Sequence, residues 1–398
     1  MKKFLAVAIL LFAAVGCLFA SSIGQIQQDV ANAIINGGPS ANTAFNTVRT
    51  NIDNLINAST ETASIRLGYL SAEAMAPSAL PILYINTFDS INGVFDSIAS
   101  HCTNINLNSN VSVWGAGSVG STDFKYDNRE LDKTLSAVKF GADISLLKNL
   151  MIGLGYSYDK SDIDLKIADL SYNEMQAGNS LGIPYANPIS KDIQVSANMP
   201  FIYGRYDDSG FNVSLSMGYL IQDYQERGNI TGESLKSDYS VDSLGVRLLA
   251  GYDIQISTSN AFLTPEIGFD YINLKQNDFQ DSIGNKVSAY SRDNLRGLLG
   301  LKLKIKFIEK KVSIIPSVRF GIGYDIFNNH DQQKVTLANG SNVSLDTVDI
   351  AAFDFNIGAE VAFIISERFI ISLSGKAMSR QDYQSSLGSI NVGYKLNN

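Results

Sequence analysis

The sequence predicts an all-β fold: a transmembrane antiparallel up-and-down β-barrel of about 12 strands, with an N-terminal helix expected in its lumen. Three observations carry this. From about residue 109 to the end, apolar residues recur with period two. The apolar parity persists for roughly ten residues or more per segment, the length that crosses a bilayer at a tilt. The connections alternate between short turns and longer polar stretches, as they do in outer-membrane barrels. Residues 150–159 show the pattern in miniature. Leu150, Ile152, Leu154, Tyr156 and Tyr158 fall on one parity, and Met151, Gly153, Gly155, Ser157 and Asp159 on the other.

The chain has 398 residues, a formal net charge of -8 and only 18% charged residues. The acidic balance and the lack of a Lys/Arg cluster argue against nucleic acid as a partner. Residues 1–20 read as a signal peptide: Lys2 and Lys3, an apolar run from Phe4 to Ala14, then Leu18-Phe19-Ala20. Cleavage is expected after Ala20 or Ser22. Gly16-Cys17 offers a rival acylation site, with Ala14 where that motif has leucine. Either route exports the chain. After simple cleavage only Cys102 remains, so an internal disulfide is excluded and an inert thiol beside the barrel wall is expected.

Residues 21–108 form a short helical N-terminal segment. Stretches such as Ile23–Ile35 and Phe45–Asn57 have helical spacing, with Ile52, Leu55 and Ile56 at i, i+3 and i+4, but little apolar content. Residues 82–101 carry a clearer stripe of Ile85, Phe88, Ile91, Phe95 and Ile98. Pro77 and Pro81 stand upstream, where a helix begins. Gly93 weakens its middle by roughly 1 kcal/mol relative to alanine.

Residues 109–398 are the predicted barrel. Its strands include Phe211–Ile221, Val312–Tyr324 and Phe353–Phe363. Lys148-Asn149, Asp207–Gly210, Thr258–Asn260, Glu309–Lys311 and Ser366–Arg368 are the short turns. Longer polar stretches lie near 167–190, 227–238, 277–290 and 326–347. A soluble β-sandwich also alternates, but its strands average about five or six residues. A soluble barrel such as a lipocalin would put the apolar set inside. The signal peptide, strand length and loop alternation together favour the membrane. Tyr156, Tyr158, Tyr219, Tyr252, Tyr271 and Tyr324 sit toward the ends of apolar sets, suited to the bilayer–water interface.

The chain resembles the autotransporter β-domain of type V secretion over about residues 67–398. The markers are Leu70–Glu73 before the amphipathic stretch 82–101, and Val113–Gly117 opening the barrel. Phe140–Asp143 then precedes the strand Leu150–Tyr158, and Ile390–Leu396 closes the chain. The resemblance implies a twelve-stranded barrel threaded by a helix and export of an N-terminal passenger. It also implies partners: outer-membrane lipid, the barrel-assembly machinery and periplasmic chaperones. It makes Ile390, Val392, Tyr394 and Leu396 the expected barrel-assembly signal. Two departures stand out. Only about residues 21–66 remain for a passenger, and leucine holds the place of the family's terminal aromatic, with two residues beyond it. The paired-asparagine motif that some members use for self-cleavage is missing; Asn92-Gly93 reads as a helix irregularity.

No catalytic residue, cofactor or metal is expected. His101 and His330 are the two histidines, and no positioned nucleophile accompanies them. No phosphate-binding loop and no zinc spacing appears. Candidate lumen-facing charges are Asp143, Arg247, Asp253, Glu266, Asp270, Arg296, Lys302, Lys304, Arg319, Asp325, Asp354 and Glu360. They pair across the barrel, hold the helix or set ion selectivity. Two functions are expected as alternatives: a translocator with a minimal passenger, or a resident porin-like or surface-adhesion barrel plugged by its helix. The sequence names no surface ligand.

Overall fold

The computed structural model describes residue 33 and residues 37–47, 49–50, 81–104, 111–126, 129–167, 190–230, 233–256, 260–309, 311–345 and 350–396. The expected signal peptide, the Ile52–Ile56 spacing and the 168–189 stretch lie outside these.

Among the described residues, twelve long strands pair antiparallel, each with its neighbours in sequence. They are β1 (Val111–Tyr126), β2 (Arg129–Leu147), β3 (Leu150–Ile167), β4 (Ser190–Asp208), β5 (Phe211–Ile230) and β6 (Glu233–Tyr252). The other six are β7 (Ala261–Gln276), β8 (Tyr290–Ile305), β9 (Val312–His330), β10 (Phe353–Ile365), β11 (Phe369–Ser379) and β12 (Tyr383–Leu396). β12 pairs with β1 from Val111↔Leu396 to Phe124↔Tyr383, so the sheet closes on itself. Closure leaves no strand edge unpaired, which hydrocarbon requires.

The parity rule explains the wall. Ile152, Leu154 and Tyr158 of β3 are exposed on the outside, while Met151, Ser157 and Asp159 are buried inside. The same sorting exposes Phe211, Leu215, Met217, Tyr219 and Ile221 on β5. It breaks where β-bulges insert a residue. Leu146 is skipped between Ser145↔Met151 and Leu147↔Leu150, and Ile326 between Arg296↔Asp325 and Leu295↔Phe327. Leu146 with Leu147, and Ile326 with Phe327, are therefore exposed as adjacent pairs.

The short-turn end carries the tight connections. Ser209 and Gly210 both have positive φ, 51° and 89°, the conformation that matches the twist of a two-residue hairpin. β1 begins and β12 ends at this same end. In outer-membrane barrels this is the periplasmic side.

Two sequence expectations shift, while the expected barrel start at 109 lies outside the described residues. The helix runs three residues further, Ile82–Asn104. Residues 227–230 and 233–238 of the polar stretch are paired strand, because β5 and β6 stay in register to Ile230↔Glu233. The twenty residues of β5, at about 3.3 Å each and tilted about 40°, rise about 50 Å, roughly twice the ~25 Å apolar band. The upper wall therefore stands in water, where polar outward residues cost nothing. β11 has only 11 residues, so the rim is tall on one side and low on the other.

Above the barrel, the expected loops 277–290 and 326–347 hold a second, four-stranded sheet. Its order is Asn342–Leu345, Gln333–Thr336, Lys286–Val287, Phe279–Gln280. Phe279 stacks on Tyr239 at 4.6 Å, and Tyr239 on Tyr224 at 5.0 Å, closing the loop-side mouth with aromatic rings.

Candidate functional site

The lumen is filled by the helix Ile82–Asn104. Its first turn forms where the Pro81 carbonyl accepts the Ile85 N–H at 2.8 Å. Proline there gives up no needed hydrogen bond. The apolar stripe Ile85, Phe88, Ile91, Phe95 and Ile98 is at most 2% exposed. The other faces carry the polar residues and are largely enclosed too, with Asp96 at 22% exposure the most open of the ion-paired ones, because the barrel surrounds the helix.

Its direction follows from its partners. Near the N-terminus, Asn86 Nδ2 donates to Tyr224 OH at 3.1 Å and Thr87 Oγ1 to Gln222 Oε1 at 2.8 Å. Tyr224 and Gln222 lie on the loop-side half of β5. Near the C-terminus, Ser100 Oγ and Ser372 Oγ are 2.9 Å apart, and His101 Nε2 lies 2.7 Å from Asp143 Oδ2. Those partners sit on the turn-side ends of β11 and β2. The helix thus descends from the loop side to the turn side.

Two aspartates anchor it. Asp89 accepts hydrogen bonds from Thr122 and Lys133, each at 2.8 Å, and from the Tyr383 hydroxyl. Asp96, two turns later on the same face, accepts from Arg247 at 2.8 Å and from Lys376 at 2.7 Å. Aromatic rings on the helix meet cations on the wall. Arg292 covers Tyr84 at 4.4 Å, Arg296 and Arg380 flank Phe88 at 5.2 and 5.0 Å, and Arg247 covers Phe95 at 5.4 Å. Such contacts are strongest where water is excluded.

These charges form a continuous alternating ladder. Asp325 meets Arg380 at 3.0 Å, and Arg380 meets Asp354 at 3.8 Å. Asp354 pairs with Arg296, which reaches Asp270 at 3.6 Å. Asp270 receives Arg247 at 2.7 Å, and Arg247 crosses to Asp96 on the helix. Lys376 ends the series at Asp96. Every buried charge in it faces an opposite one, which offsets the desolvation that isolated charges would suffer.

A second cluster fixes the turn-side end. His101 stacks on Trp114 at 5.2 Å. Trp114 Nε1 donates to Tyr203 OH at 2.7 Å, and Tyr203 OH donates to Asp143 at 2.8 Å. Ser112 also donates to Asp143. Asp143 therefore gathers the helix and three strands at one carboxylate. Ser112 bonds to the carboxylate and not to the imidazole, so this is a positioning network rather than a nucleophile and its base. Cys102 is buried at 2% exposure on the helix within the lumen. His330, in contrast, lies at the loop-side end of β9.

The remaining sequence candidates line the turn-side half. Glu266 pairs with Arg319 at 2.6 Å, and Asp253 with Lys304 at 2.8 Å. Glu360 accepts from Ser100 of the helix. Asp253 lies just beyond β6 at the mouth. With Lys302 these residues surround a cavity of ≈ 140 Å³ beside the C-terminal half of the helix. Ile390, Val392, Tyr394 and Leu396 are exposed on the outer face of β12.

Sequence reasoning passed over Asp89, Asp96, Lys133, Lys139, Lys376 and Arg380. Two signals could have found them. Asp89 and Asp96 are seven residues apart, hence on one helix face. Lys139 lies between Val138 and Phe140, both of lipid-facing parity, so it must point inward. Its Nζ donates to Ser118 at 2.6 Å and to Ser97 of the helix at 3.3 Å.

Comparison with known proteins agrees with this geometry. The family model for the autotransporter β-domain matches residues 113–376. The translocator domain of autotransporter NalP from Neisseria meningitidis is similar in structure, with a TM-score of 0.59 at 13% identity, over 78% of this chain and 97% of that one. The transport unit of AIDA-I from Escherichia coli gives 0.54 at 13% identity, over 76% and 98%. The β-domain of the Bordetella autotransporter BrkA gives 0.52 at 14%, over 72% and 100%. A search of curated proteins returns no match.

Proposed function

Because the chain belongs to the autotransporter β-domain family of bacterial outer-membrane translocator barrels, we propose that it carries its own short N-terminal segment to the cell surface and stays in the membrane afterwards. The observation that carries this is the direction of the helix. Its N-terminus, with Pro81 before it, stands on the loop side, which faces outward in such barrels. Ala33 and residues 37–47 lie on that side too, where Asn339 Nδ2 donates to the Ala33 carbonyl at 3.2 Å.

In this reading the lumenal charges hold the helix after passage. Asp143, Arg247, Asp270, Arg296, Asp354 and Glu360 act directly or through the ladder, while Asp253, Glu266 and Arg319 line the turn-side vestibule. The outward residues Ile390, Val392, Tyr394 and Leu396 are the surface read by the barrel-assembly machinery, to which periplasmic chaperones deliver the chain. A second reading is a resident, plugged barrel. The completeness of the charge ladder favours it, because nothing in the ladder is left to release the helix.

The test is topological. An epitope between Ala58 and Thr62 is probed with antibody on intact cells, with a tag in the 167–190 stretch as surface control. Exposure of both supports export. If only the loop tag is reached, the segment has not crossed, and the plugged barrel is the function. If neither is reached until lysis, the orientation is wrong.

A further inference from the structure

We infer that the stretch of residues 37–47 is not cargo for release but a lid, docked on the two loop-side hairpins as part of a surface cap; this rests on the display reading above. Four observations carry it.

Phe45 has no solvent exposure at all. It stands among helical residues, 43–47 and 49–50. The stretch is capped locally: Asn42 Oδ1 accepts the Phe45 N–H at 3.2 Å, while the Asn46 side chain ties back to Ser40 at 2.8 Å through both its oxygen and its nitrogen. These bonds fix the local shape of residues 40–46.

The contacts that flank Phe45 are on the hairpins. A Cβ on Gly37 would collide with the side chains of Ser341 and Asn339, so the backbone there lies flat on the 336–342 hairpin. On the other side, a Cβ on Gly284 would come within 3.0 Å of Asn42 Nδ2. Gly284 has φ +91° and sits at the tip of the 281–285 turn.

The hairpins in turn hold one another. Asn285 Oδ1 accepts the Ala338 N–H at 3.1 Å, and the Ser288 N–H donates to the Lys334 carbonyl at 2.9 Å. Ile283, Val287, Val335, Leu337, Val343 and Leu345 are all buried there, a small apolar cluster apart from the barrel core. A buried aromatic ring removes a large apolar area from water and dominates the energetics of such a contact. The stretch that lies against these hairpins, through Gly37 and Asn42, brings the buried ring of Phe45 with it, delivered through the pore that the hairpins crown.

The experiment cuts the tether. An epitope followed by a site-specific protease site is inserted between Ala58 and Thr62, so the epitope stays with the N-terminal fragment. Intact cells are treated and sedimented, and the epitope is followed. A lid leaves the cut fragment with the cells. Phe45→Asp then sends most of it to the medium, and Gly37→Leu does the same if Phe45→Asp lowers the amount of barrel at the surface. Release from the unaltered chain as complete as from the variants overturns the lid while leaving export intact. Failure to cut on intact cells, with cutting after lysis, overturns the export reading and the lid with it.

Discussion

Arg247 on β6 joins Asp96 of the lumenal helix at 2.8 Å and Asp270 of the neighbouring strand at 2.7 Å, with a second bond to Asp270 at 2.9 Å. One planar guanidinium thus ties wall to wall and wall to helix. The geometry suits arginine, whose fork presents several donors at once, and would not suit lysine.

Replacing Arg247 by alanine leaves two buried carboxylates without this partner. Truncating one side of a buried pair costs about 3–5 kcal/mol. Arg247→Ala should lower the temperature at which the folded barrel loses its fast gel mobility in detergent. In planar bilayers it should lengthen open events. Unchanged mobility and conductance would show that the ladder does not hold the helix.

Two glycines should behave oppositely. Gly245 points into the lumen, where an added Cβ would come 2.6 Å from Ile91 Cγ2. Gly245→Val should destabilise by about 1–3 kcal/mol through overpacking, with recovery in the double variant Gly245→Val/Ile91→Ala. Gly93 is in the helix itself, and a Cβ there meets Leu387 at 3.6 Å and Lys139 Nζ at 3.7 Å, ordinary contacts. Gly93→Ala should raise stability by up to about 1 kcal/mol. Thermal unfolding of the three variants checks both.

The outer wall carries a row of like charges. Asp123 lies opposite Asp132, Asp132 opposite Asp164, and Asp164 opposite Asp192, across β1 to β4. Like charges facing one another across strands are destabilising by roughly 0.2–1 kcal/mol. Asp164→Asn removes two such meetings and should raise the unfolding temperature. The gain should shrink as salt is added, because exposed charges are screened. A gain that does not respond to salt would mean a different cause.

Asp281 predicts a pH dependence in the cap. Burial pushes its carboxyl above the usual carboxylate range, although the Ile283 and Asn285 N–H groups donate to it at 3.1 and 2.8 Å. A raised value in the folded hairpin means that folding favours the protonated acid. The stabilisation is complete below the ordinary carboxylate range and is lost as pH rises through the raised value. Amide exchange over 277–289, corrected for its intrinsic pH dependence, should show more protection in acid. Asp281→Asn should flatten that profile at lower overall protection, since its amide oxygen still accepts both backbone bonds while its amide nitrogen would face Asn285 Nδ2, which now donates to Asp281 at 2.9 Å.

Much of this was written locally. Period two fixed which side of each strand meets lipid, because successive side chains on a strand must point to opposite faces. Phe140 outward therefore meant Lys139 inward, and Asp89 with Asp96 at seven residues meant one face of the helix. The 227–238 stretch misled because polarity marks contact with water, and a strand that rises above the bilayer is wet while still paired.

The sequence by itself determined the barrel, its inside and outside, and the helix that precedes it, since each depends on residues within a turn or two of one another. The tertiary structure decided the partners. Asp96 and Arg247 are 151 residues apart, and Ser100 and Glu360 are 260. Which cation meets which carboxylate depends on strand register, bulges at Leu146 and Ile326, and the height at which the helix comes to rest. Those are properties of the closed sheet as a whole, set when β12 pairs with β1, and no local pattern encodes them.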